Sequence, residues 1–65
     1  MKKATMNRKD LRAHRKRLGL SLAKVGAQVH VSPRTWARYE SGERHVPEAI
    51  IHLFCALNRI RYGGT

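Results

Sequence analysis

Apolar residues fall along the chain in four short clusters, and no segment alternates apolar and polar positions with period two, so strands have little support. The last cluster is the clearest. Ile50, Leu53, Phe54 and Leu57 stand at i, i+3, i+4 and i+7, the apolar face of a helix from about Pro47 to Asn58. Upstream, Ser32 is an N-cap and Pro33 takes the first helical position, where its missing N–H costs nothing, so a helix runs from about Pro33 to Ser41 and stops at Gly42. The spacing predicts another from about Leu22 to Val29, capped by Ser21, with Val25 and Val29 as its stripe and Gly26 beside them where a facing helix approaches closely. It ends at His30, where glycine is usual; histidine enters the left-handed region more readily than most residues. The first helix runs from about Arg8 to Leu18, with Asn7 as cap, Asp10 three residues on and Gly19 as its stop. Three apolar pairs, Met6–Leu11, Leu20–Val25 and Val31–Trp36, occupy the staple positions that fix how the chain enters each of the first three helices.

Size and charge narrow what such a chain does. With 65 residues it holds one domain, whose core buries only about 60% of the unfolded chain's surface. Cys55 is the only cysteine, so neither a disulfide nor a cysteine-based zinc site supplies extra stability, and His14, His30, His45 and His52 are too dispersed to read as metal ligands. Fourteen lysines and arginines against four acids give a net charge of +10, which attracts a polyanion. Eight of those basic residues lie between Lys2 and Arg17. No apolar run approaches the ~20 residues needed to span a bilayer. A lone thiol without a targeting segment points to the cytoplasm. The residues divide into a basic N-terminal arm (1–6), a helical domain (7–59) and a short tail (60–65). No base–nucleophile pairing, glycine-rich phosphate loop or metal set is present, so no enzyme, cofactor or small-molecule substrate is inferred.

Only "HVS", His30 to Ser32, separates the second helix from the third, the arrangement of a helix-turn-helix whose second helix lies in the DNA major groove. The run "RKRLGLSLAKVGAQVHVSPRTWARYESG", followed by Pro47 and the apolar fourth helix, resembles the Cro/cI-like (XRE) helix-turn-helix regulators over roughly Leu11 to Leu57. Within that family, the small size and "RTWARYESGERHVP" are similar to the anti-CRISPR-associated (Aca) regulators of phages and mobile elements. The resemblance implies an all-α, lambda-repressor-like bundle of four short helices, or five, and a homodimer that represses by occupying a palindromic operator in double-stranded DNA.

Residue by residue, it implies that Pro33, Arg34 and Arg38 meet base edges, the two arginines sharing one helical face. An arginine reads guanine in bidentate fashion, for about 1–3 kcal/mol of discrimination. Ser32, Thr35, Tyr39, Arg44, Lys24 and His45 are expected at the DNA backbone, with Tyr39 equally placed for packing. Trp36 is expected in the core, and Glu40 is expected to pair with Arg15. Where many members have a phosphate-binding glutamine, this chain has Leu22. Ile51 and Cys55, off the Ile50–Leu53–Leu57 stripe, are expected with Ile60 and Tyr62 at the dimer interface. The competing function is an antitoxin-type protein-interaction module, although "RIRYGGT" is short for a segment that wraps a toxin.

Overall fold

The computed structural model describes residues 8–60, which form four helices: α1 (Arg8–Arg17), α2 (Leu22–Gln28), α3 (Pro33–Ser41) and α4 (Glu48–Leu57). No strand occurs among the described residues, and the fold is all-α. The Asn7 cap, the Met6 staple, the rest of the basic arm and Tyr62 lie outside them.

Local chemistry sets most of the helix ends. Asp10 lies in the first turn of α1, and His14, Arg15, Lys16 and Arg17 crowd its last turn, the charge order that suits the helix dipole. Gly19 then takes φ 72°, and the Leu20 N–H bonds back to the Arg15 carbonyl at 3.1 Å. The Ser21 hydroxyl accepts the Lys24 N–H at 3.1 Å and opens α2. That helix closes through His30 at φ 63°, with the Val31 N–H on the Gly26 carbonyl at 2.9 Å. Histidine thus fills the left-handed slot that glycine usually holds. Ser32 accepts the Thr35 N–H at 3.0 Å to open α3, and Gly42, at φ 84°, closes it.

α4 behaves differently. Pro47 provides no side-chain cap, and beyond the last residue of α4, Leu57, the chain turns through Arg59, at φ 57°, whose successor Ile60 donates to the Cys55 carbonyl at 2.8 Å. A non-glycine stop at Arg59 has no signal in the sequence.

The core comprises Leu11 of α1, Val25 and Val29 from α2 and its end, Trp36 and Tyr39 of α3, and Ile51, Phe54 and Cys55 of α4. Leu20, Leu22, Val31, Val46, Ile50, Leu53 and Ile60 pack around it half-buried. This corrects the expected facing of α4. Ile51 and Cys55, assigned to a dimer interface, are 6% and 3% exposed inside the protomer, whereas Leu57, assigned to the inward stripe, is 52% exposed. The cause lies in "EAIIHLFCAL", where two overlapping i, i+3, i+4 series share Phe54. Only packing against the other helices decides which series turns inward. Ile60, also assigned to the interface, is half-buried against its own core.

At the α2–α3 turn the backbone itself is packed. A Cβ on Gly26 would come within 2.6 Å of the Val31 carbonyl oxygen and 3.3 Å of the Ser32 carbonyl carbon. Glycine lets the start of α3 lie directly against α2, which fixes the angle at which α3 leaves the body.

Candidate nucleic-acid interface

The helical repeat of α3 separates two sets of side chains. Trp36 and Tyr39 point inward, fully and almost fully buried, while Arg34 lies on the open side with Arg38 one turn further along. Arg34 is exposed and Arg38 half-exposed, and neither side chain has a hydrogen-bond or ion-pair partner among the described residues. Pro33 is exposed at the leading end. The face that leaves the body is therefore cationic and uncommitted.

What holds that face in place is a polar network at the back of the helix. Arg15 of α1 grips Glu40 with two nitrogens, Nε to Oε2 at 2.6 Å and Nη2 to Oε1 at 3.1 Å. A third Arg15 nitrogen donates to the Leu20 carbonyl at 3.0 Å. The Trp36 indole N–H donates to Glu40 Oε2, also at 2.6 Å. The Arg15 and Glu40 side chains are only 13% and 9% exposed, and no buried side-chain polar atom among the described residues lacks a partner. Burial pushes the Glu40 carboxyl up, but hydrogen bonds from Arg15 and Trp36, with the charges of Arg15 and Arg12, outweigh it and hold the group below its ordinary value. Its bond to Glu40 likewise raises Arg15, against the opposing effect of burial. A bidentate pair with a second donor fixes both the roll and the position of α3. Only their i, i+4 spacing links Trp36 to Glu40 in the sequence, yet that contact joins the core residue to the ion pair.

The residues expected at the DNA backbone are spread around this helix. Lys24 is exposed near the start of α2, and Arg44 and His45 are exposed on the loop that follows α3. The Arg44 N–H bonds to the Arg38 carbonyl at 3.2 Å and anchors that loop to the end of the helix. Ser32 is exposed, but its hydroxyl serves the cap and donates to the Thr35 hydroxyl at 2.9 Å. Thr35 keeps its own O–H for another acceptor.

Of the two placements open to Tyr39, its ring takes the packing one. It is 4% exposed, with its ring edge-on to Trp36 at 5.8 Å and 73°, so the ring is a core element and only the hydroxyl is left to meet a ligand. Leu22, in the place of the family glutamine, packs half-buried on the core. Arg8 escaped the sequence reading. Its Nη1 donates to the Ser41 carbonyl at 3.1 Å, which brings a cation across the end of α3.

Burial pushes the Cys55 thiol up, away from the reactive thiolate. Among the described residues no three His, Cys, Asp or Glu side chains group as metal ligands, and no helix is long and apolar enough to cross a membrane.

Comparison with known proteins agrees with this geometry. A family model described as a helix-turn-helix domain matches residues 9–59, most of the chain and all of α2, α3 and α4. No curated protein matches significantly.

Proposed function

Because the chain belongs to the helix-turn-helix domain family, whose members present the second helix of the motif to DNA, we propose that it is a sequence-specific transcriptional regulator of the Cro/cI-like (XRE) kind. It binds an inverted repeat in double-stranded DNA as a homodimer and represses by occupying the promoter. The observation that carries this reading is the division of α3: Arg34 and Arg38 outward without partners, Trp36 and Glu40 inward and fully bonded. Free guanidinium groups carried on a helix fixed from behind are suited to paired contacts with guanine O6 and N7. A net charge of +10 adds affinity for any phosphate backbone, and so speeds the search without supplying preference.

Two copies would set their recognition helices about 34–36 Å apart, one turn of the duplex. Since Ile51 and Cys55 are committed to the core, the contact between copies falls to the opposite flank of α4, where Leu57 is exposed beside half-buried Leu53 and Ile50. The similarity of "RTWARYESGERHVP" to anti-CRISPR-associated regulators supports a phage or mobile-element operon, controlled at its own promoter, in the cytoplasm. Repression by occupancy requires no catalytic step.

The test is a titration of an inverted repeat from upstream of the protein's own gene against a scrambled duplex of equal length and salt. Preference for the repeat by about a thousandfold or more is expected of a specific regulator. Equal affinities would remove the claim of sequence reading.

A further inference from the structure

Arg8, Leu11 and Arg15 stand at i, i+3 and i+7 and so share one side of α1. Leu11 is fully buried, and the arginines on either side of it bond to neighbouring residues at the end of α3. Arg15 grips the Glu40 carboxylate, and Arg8 Nη1 donates to the Ser41 carbonyl at 3.1 Å. The first contact holds the back of α3, and the second closes on its last turn.

Arg8 stands where its own helix disfavours a cation. It opens α1, whose dipole opposes positive charge at that end. Across the gap, Ser41 is the last residue of α3, and its carbonyl is among the four that no helical N–H satisfies. The negative end of the α3 dipole lies there too, so the cost at α1 is offset at α3. The Arg8 side chain also lies over Gly42. A Cβ at that position would fall on Nη1 and come within 3.0 Å of Cζ and 3.1 Å of Cδ. The missing side chain of Gly42 is therefore the seat of the arginine. Arg8 precedes the segment that the helix-turn-helix family model matches, residues 9–59.

We propose that Arg8 is a positioning residue for the reading of DNA. By tying the end of α3 to the start of α1, it sets the tilt at which Arg34 and Arg38 meet the duplex, and it does not touch DNA itself. With Arg15 alone, α3 is held at Glu40 and can pivot about that point; Arg8 adds a second attachment from the same rigid helix. The inference rests on the proposal that α3 reads bases.

Two measurements separate this role from a phosphate contact and from plain stability. The first is the ratio of affinities for the inverted repeat and a scrambled duplex, taken with the slope of log K against log salt. Arg8→Ala should lower the ratio roughly 2–30-fold, the range for a residue that acts on a ligand through others, and should leave the salt slope as in wild type. Its melting temperature should move by no more than about 4 °C, since only an exposed side chain is lost. Gly42→Ala keeps the charge of Arg8 but takes its seat, and should lower the ratio likewise. Added to Arg8→Ala, it should lower the ratio no further. The second measurement is of residual dipolar couplings in the DNA-free chain. In wild type the α3 amides should fit the alignment of α1, and in Arg8→Ala they should depart from it. A wild-type ratio of one, with α3 still re-aimed in Arg8→Ala, would remove the reading of bases and leave Arg8 as the brace of α3. An unchanged ratio with a salt slope reduced by about 1 would make Arg8 a phosphate contact. That result, or a ratio and couplings both identical to wild type, would overturn the proposal.

Discussion

At Glu40 two donors from different elements converge on one carboxylate oxygen, Arg15 from α1 and Trp36 from its own helix, each at 2.6 Å. Such a group is stabilising only while ionised and fully bonded. Because its folded value lies below its ordinary one, its contribution is complete above the ordinary glutamate range and is lost as pH falls through the lowered folded value. Melting temperature should therefore fall through that acidic window, and Glu40→Gln should lose most of the dependence; an unchanged acid limb in the variant would contradict the role. Removing one partner of a buried pair costs about 3–5 kcal/mol, so Glu40→Gln should also melt well below wild type near neutral pH. Trp36 acts twice, as the largest fully buried side chain and as a donor to Glu40. Trp36→Ala should cost about 3–5 kcal/mol in chemical unfolding. A variant with unchanged unfolding would exclude a core role.

At the scale of the elements, how α2 meets α3 decides where the recognition helix points. Gly26 is the hinge of that contact, because the Val31 carbonyl occupies the space of a Cβ. Alanine there gains about 1 kcal/mol of helix propensity but forces backbone apart, and overpacking costs about 1–3 kcal/mol. Gly26→Ala should therefore lower the melting temperature and the affinity for DNA together; a variant that melts at or above wild type would mean that the turn has slack. The bounds of α3 were legible in the sequence because Ser32, Pro33 and Gly42 are local signals that act within one turn of the chain. So was the left-handed His30, between a capped helix and the next cap. The inward face of α4 was not legible, since its apolar residues nearly encircle the helix and only the tertiary contacts choose Ile51 and Cys55 over Leu57. Nor was the place of Arg8, which reaches Ser41 across 33 positions of sequence.

For the whole molecule, shape and charge act together. A small core with an exposed Leu57 on α4, together with the two half-sites of the proposed operator, favours pairing of two copies along that flank. Sedimentation over a range of concentrations should show a monomer–dimer equilibrium that Leu57→Glu shifts at least about tenfold towards monomer, with helix content unchanged. Equal dimerisation in that variant would move the interface elsewhere. Binding to any duplex should weaken steeply with salt. Arg44→Ala or Lys24→Ala should lower affinity for all sequences alike and reduce the slope of log K against log salt by about 1 each, as loss of one phosphate contact requires. In the proposed division these residues hold the molecule on DNA, and preference for a sequence belongs to the outward face of α3.

That division is tested most directly by the ratio of affinities for the inverted repeat and a scrambled duplex, measured at one salt concentration for wild type, Arg34→Ala, Arg38→Ala and Arg44→Ala. Reading of bases by α3 predicts that the ratio falls by about 1–3 kcal/mol, or roughly 5–150-fold, in each of the first two variants and stays unchanged in the third. Arg34→Ala and Arg38→Ala proteins that lose affinity for both duplexes equally would contradict it.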